Sequence, residues 1–266
     1  MNHQDLKALL EEKVEQYNHV SFIESDPISI PHQFSKQQDV EIAAFWTAVL
    51  SWGQRTTIIA KSKQLFDWMD GQPHDFICNA SDTDLKVFEK FKHRTFLAED
   101  TLFFMAALKV LYARHTTMEE VFLNFGKDAD DERFMFAALS GFHDYFFSLA
   151  EGLERTKKHV SSPVRGSTCK RLNMFMRWMV RKDDRGVDFG IWKNIPSSAL
   201  MIPYDLHVDR VARHLRLVDR KQKDWRIVEE ITSFCRSLDK NDPAKFDYAL
   251  FGLSISGELD EYKLIR

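Results

Sequence analysis

Apolar side chains recur at three- and four-residue intervals along most of the chain. Leu6, Leu9, Leu10, Val14 and Tyr17 mark an amphipathic opening helix. A proline-punctuated loop at residues 26–31 separates it from a second, mostly apolar helix through Val40, Ala43, Ala44, Thr47, Ala48 and Leu50. Gly53 interrupts the pattern before residues 58–69. Further helices are predicted over residues 100–112, whose acidic start suits the helix dipole, and over 134–153, 204–215, 225–238 and 243–253. Residues 165–168 form a turn feeding another helix, with Ser167 or Thr168 as its N-cap. On that helix Leu172, Phe175, Met176 and Met179 make one apolar stripe, and Lys170, Arg177 and Arg181 fall on the opposite side as a solvent-facing positive edge. Residues 183–203 are irregular. No strand alternation, internal repeat or low-complexity tract interrupts this, so the fold class is all-α.

Composition agrees. Among 266 residues there are only 10 Gly and 7 Pro, so turns are few and helices long, while 22 Phe supply core. No apolar run approaches the roughly 18 residues of a membrane span, and the polar, acidic start lacks the apolar core of a signal peptide. Cys78, Cys169 and Cys235 are isolated, with no CxxC or Cys/His pattern; neither disulfides, a metal site nor a cofactor is expected. The expectation is a cytoplasmic protein.

Charge changes the picture. Residues 155–182 hold nine Lys and Arg and no Asp or Glu. Residues 1–154 carry 14 basic and 25 acidic side chains, a net of −11, and residues 155–266 carry 23 and 15, a net of +8. The reading is a single helical domain over residues 1–266 with two lobes, acidic and basic, dividing near residue 154. A basic stretch on an acidic protein points to a polyanion, of which nucleic acid is the commonest; a solvated helix face is the ordinary alternative.

Two spots could carry chemistry. Lys170 lies in the first turn of its helix, where the dipole and the neighbours Arg165 and Arg171 disfavour another positive charge and so favour the free amine a nucleophile needs. An exposed or phosphate-binding lysine is the alternative. Asp205, after Pro203, stands where an N-cap carboxylate belongs and could stabilise a developing cation. Most such aspartates only cap.

The string Pro203-Tyr204-Asp205-Leu206-His207-Val208-Asp209-Arg210-Val211 resembles the Pro-Val-Asp-x-His-Val-x-Arg-Val segment of helix-hairpin-helix DNA glycosylases. The resemblance implies that Asp205 is the catalytic carboxylate. Gly166 and Lys170 keep the spacing of that superfamily's hairpin glycine and nucleophilic lysine, although Thr168 replaces its second glycine and its Leu-Pro start is absent. The 35-residue interval from Lys170 to Asp205 is similar to that of archaeal-type 8-oxoguanine glycosylases, whose hairpin is also degenerate. Residues 48–56 resemble the superfamily's Leu-Ser-Gln-Gln-Thr turn, with Gln54 as the counterpart near the extruded nucleotide and Arg55 beside it. Over its whole length the chain is similar to an uncharacterised bacterial protein family, recognisable by stretches such as residues 166–181.

The resemblance implies a two-lobed helical bundle of the helix-hairpin-helix glycosylase type with a degenerate hairpin. It further implies base-excision DNA repair on double-stranded DNA: release of a damaged purine, with Lys170 attacking the sugar and permitting strand cleavage. Backbone N–H groups at Gly166, Ser167 and Thr168 would meet a phosphate, and Arg165, Arg171, Arg177, His207 and Arg210 would line the DNA. A flipped base needs an aromatic pocket; Trp52 and Trp178 are candidates, Trp178 more simply as core. Two other readings stay open: a nucleic-acid-binding protein on the same fold without glycosidic chemistry, and an all-α protein that binds a protein or small molecule, its basic run meeting an acidic partner or its own acidic half.

Overall fold

A computed structural model describes residues 2–262, the side chain of Asp260 excepted. Helices α1 (His3–Tyr17), α2 (Gln37–Leu50), α3 (Arg55–Asp67) and α4 (Pro73–Asn79) come first. Then follow α5 (Asp82–Leu85), α6 (Ala98–Arg114), α7 (Met118–Gly126) and α8 (Asp131–Ser148). The last are α9 (Lys170–Val180), α10 (Leu206–His214), α11 (Trp225–Leu238) and α12 (Phe246–Ser256). The described residues are all-α; their one β feature is an antiparallel bridge between His93 and Phe96. None of these helices is long and apolar enough to cross a membrane.

The helices fall into two compact units. Ser25–Ser162 forms a middle unit, and Met1–Glu24 joins Pro163–Arg266 in a terminal unit. This division matters for charge. The middle unit carries 15 basic and 20 acidic residues, a net of −5, and the terminal unit 22 and 20, a net of +2. Most of the polarity along the sequence disappears because residues 1–24, with a net of −3, fold in with the basic C-terminal half, while Arg155, Lys157 and Lys158 fold with the middle unit.

In the middle unit the phenylalanines pack on one another. Phe45 stacks on Phe104 and takes the edges of Phe142 and Phe146, and Phe122 lies 4.2 Å from Phe142 in a parallel stack. Two buried carboxylates fasten this core. Glu41 on α2 is fully buried and accepts from Tyr112 Oη (2.9 Å), the Met118 backbone N–H (2.9 Å) and the Thr117 hydroxyl, tying α2 to α6 and to the start of α7. Asp100 accepts from the Leu97 N–H (2.8 Å), Thr156 Oγ1 (2.7 Å) and Arg155 Nη1 (2.9 Å). Burial pushes Asp100 up, but His159, Thr156 and the Leu97 N–H outweigh it and hold the carboxyl well below its ordinary range. Arg155, where the basic run opens, is thus spent on holding residues 154–159 against α6.

In the terminal unit α1 lies on α12 through Leu6, Leu9, Leu10 and Val14. The Asn2 side chain caps α1 in a reciprocal box with Asp5. Lys13 reaches Glu258 at 2.8 Å, Glu11 reaches Lys245 at 3.0 Å, and Glu15 pairs with Arg185. The close approach depends on Gly252: a Cβ there would stand 2.0 Å from the Tyr17 ring. Gly252→Val is therefore expected to lose about 1–3 kcal/mol in urea unfolding. Adding Tyr17→Ala should return part of that loss; an additive double variant would show that the ring is not the obstacle.

Candidate active site

The start of α9 differs from the capping predicted by sequence. Neither Ser167 nor Thr168 is the N-cap; Cys169 is, in the left-handed conformation at φ +49° and with no side-chain cap bond. Its side chain is fully buried, which fixes the turn. Ser167 Oγ accepts from the Cys169 N–H at 3.1 Å, and the Gly166 N–H goes to the Pro163 carbonyl at 2.8 Å, so two of the amides nearest the proposed phosphate-binding turn are already engaged. The Thr168 carbonyl accepts from Asn173 Nδ2 at 3.1 Å.

Lys170 is the first residue of α9, and Asp205 caps α10 by accepting from the backbone N–H groups of His207 (2.8 Å) and Val208 (3.0 Å). Those two bonds use Oδ1. The other oxygen, Oδ2, stands 3.5 Å from Lys170 Nζ. The fold thus brings together two side chains 35 positions apart, and neither is sealed: the lysine side chain is 33% exposed and the aspartate 20%. A lysine and a carboxylate at a partly open surface can present a nucleophile and a counter-charge to one reacting centre.

Behind this pair lies a buried charge network that sequence reading placed in solvent. Arg177 and Arg181 do follow Lys170 on one side of α9, but that side faces inward: they are 4% and 2% exposed. Arg177 Nε donates to Asp188 Oδ1 at 3.2 Å, and its Nη1 pairs with Asp247 on α12. Arg181 Nη1 reaches Asp188 Oδ2 (3.1 Å) and Asp183 (2.7 Å), and its Nε reaches Asp242 (2.9 Å). Both guanidinium groups also lie over the Tyr248 ring, at 4.3 and 5.6 Å from its centroid. Arg177 is therefore not a phosphate ligand on an exposed edge. Two cations can be buried here because the loop at 183–188 folds back with carboxylates that match them.

Asp247 is the tuned member of the network. Burial pushes it up to about 7, against the pull of Arg177; Asp205 and Asp188 raise it further and Lys170 lowers it. Arg181 moves the other way from what burial alone would do, since Asp188, Asp242 and Asp183 overcome desolvation and raise it.

The remaining predicted residues divide plainly. Arg165 and Arg210 are exposed, and Arg171 is half-buried, with burial lowering it to about 10. His207 turns inward: its Nδ1 lies 3.0 Å from Ser254 Oγ and its ring meets the edge of Phe251. Trp178 is fully buried core. Gln54 and Arg55 belong to the middle unit, at the cap and first position of α3, and Arg55 pairs with Asp26 at 3.9 Å. Sequence reasoning missed Asp188 and Asp247. A signal existed for Asp188, because Asp183, Asp184 and Asp188 are the first acidic residues after the basic run. Asp247 offered none, as it sits in an apolar helix start.

Two measurements test the network. Arg177→Met leaves Asp188 and Asp247 without their shared cation and is expected to lose about 3–5 kcal/mol in urea unfolding. Asp247 takes up a proton on folding between its ordinary value of 3.8 and about 7. Its raised value therefore contributes stability at low pH that is lost as pH rises through 7, by at most about 1.4 kcal/mol per pH unit. Asp247→Asn should accordingly gain on the wild type between pH 5 and pH 8; a constant gap would rule out this titration.

No match to a curated protein or a solved structure was found for the chain. Residues 26–256 match the model of a family described as "Protein of unknown function (DUF2400)", a span that takes in α2 to α12 and every residue of the site above. The chain belongs to that family.

Proposed function

We propose that the protein is a base-excision DNA glycosylase with lyase activity, acting on a damaged purine through Lys170 and Asp205. The observation that carries this reading is the 3.5 Å approach of Lys170 Nζ to Asp205 Oδ2 at a partly open surface. As the glycosidic C1′–N9 bond breaks, its electron pair leaves with the base and positive charge develops on the sugar. Asp205, positioned by two backbone N–H donors, stabilises that charge. Lys170 gives a proton to the departing base, and the lone pair so freed bonds to C1′; transfer of a further proton and opening of the sugar ring at O4′, which takes it, then leave a Schiff base, from which the strand can be cleaved. Duplex DNA is the substrate, and the base leaves the stack before it reacts.

Borohydride trapping on duplexes carrying a panel of oxidised, alkylated and deaminated purines tests this directly. A covalent adduct is expected with the wild type and none with Lys170→Ala. Asp205→Asn should keep DNA binding and lose base release by about a hundredfold or more. Absence of both adduct and base release across the panel would overturn the reading, and full turnover in Asp205→Asn would reduce that residue to a helix cap.

A further inference from the structure

Arg177 and Arg181 are neutralised inside the terminal unit, which leaves exposed cations such as Arg165 and Arg210 there and a second group in the middle unit. In the middle unit, residues 52–63 and 86–94 hold seven of its 15 basic residues and one of its 20 acidic ones. The rest of that unit has 8 basic against 19 acidic, so this positive charge is concentrated on a negative body. Of the seven, Arg55 pairs with Asp26; Lys61, Lys63, Lys86, Lys90, Lys92 and Arg94 make no ion pair among the described residues.

The two segments are packed together. Lys61 Nζ on α3 lies 5.8 Å from the centre of the Phe91 ring, between the exposed Lys90 and Lys92. Arg94, in the left-handed region at φ +55°, lays its guanidinium 5.0 Å from the Trp52 ring centre. Gly53, at φ +110°, makes room for it: a Cβ there would be 2.4 Å from Arg94 Nη1. His93 stands 3.3 Å from the Trp52 carbonyl, and its charged form is disfavoured by burial first and then by both Arg94 and Lys61. One imidazole thus senses the cations of both segments. Lys61 and Lys63 also line a shallow depression of about 460 Å³ with Gln64, Asp67 and Trp68.

We propose that this face, Lys61, Lys63, Lys90, Lys92 and Arg94 beside Trp52, holds the phosphate backbone of duplex DNA. Unpaired Lys and Arg side chains release counterions on meeting phosphates, the dominant source of sequence-independent affinity for DNA. An anionic membrane fits less well, because none of the exposed large apolar side chains (Val20, Phe125, Phe136, Leu153, Val164, Leu206, Ile255) lies in either segment to anchor in lipid. The same lack argues against a protein partner, whose interface would be built around buried apolar anchors. The choice of DNA rests on the base-excision reading; the location of the surface does not.

The test measures binding of the full chain to an undamaged duplex by fluorescence anisotropy across a salt series. Lys61→Gln/Lys92→Gln/Arg94→Gln is expected to flatten the slope of log K against log salt by about three, and Lys61→Gln/Lys92→Gln by about two, at wild-type circular dichroism. The pair variant guards against any loosening of the Trp52 stack. Arg114→Gln/Lys127→Gln/Arg133→Gln, which removes three exposed charges elsewhere on the same unit, should leave the slope unchanged. No binding by the wild type at low salt, equal losses in both triple variants, or tighter binding to phosphatidylserine vesicles than to DNA would overturn the proposal. Binding through this face without base release on any lesion would sink the glycosylase reading alone, and base release unaffected by the face variants would sink this one alone.

Discussion

The buried ion network around Arg177, Arg181 and Asp188 is the constraint on which the terminal unit depends. Two guanidinium groups inside a protein are tolerable only when carboxylates meet nearly every donor, and here those carboxylates come from three directions. Asp188 and Asp183 arrive on the irregular segment after α9, Asp242 from the approach to α12, and Asp247 from its first turn. The network therefore fixes the path of a loop that has little regular structure of its own. It also reaches α1, since Asn18 donates to Asp183 at 2.6 Å. Lys170 stands at the other end of α9, beyond these carboxylates and beside Asp205. A packed, ion-paired interior and a partly open lysine–aspartate pair are two ends of one helix face.

The same balance explains why charge counted along the chain misleads. A halved sequence suggests an acidic lobe and a basic one. In the fold, the acidic α1 crosses to the basic half, the arginines of α9 are matched by carboxylates of that half, and Arg155 is matched by Glu99 and Asp100 in the middle unit. Among the cations left without an ion pair is a less conspicuous cluster on α3 and residues 86–94, inside the stretch that looked acidic. Ion pairs formed on folding decide which cations reach solvent, and a running sum cannot register them.

Helices were legible because periodicity is a local property. The expected spans for α1, α2 and α11 agree with the structure to within a few residues, and the apolar stripe Leu172, Phe175, Met176, Met179 is buried as its spacing requires. Asp205 as an N-cap was also local, needing only a proline before it and an apolar helix after it. The N-cap of α9 was not. Serine and threonine are the better capping residues in isolation, but burial of Cys169 put that residue, with its left-handed backbone, at the cap.

By itself, then, the sequence determined the all-α class, most helix positions, the core stripe of α9 and the presence of Lys170 and Asp205 at helix starts, because each follows from neighbours within about two turns. Only the tertiary structure decided that the polar side of α9 points inward, since an amphipathic pattern separates two faces without saying that the charged one has met carboxylates from far along the chain. The tertiary fold alone also brought Lys170 within 3.5 Å of Asp205 and raised Asp247 to about 7. Distances across 35 residues, and the desolvation that moves a buried carboxyl, are set by packing and have no counterpart in local order.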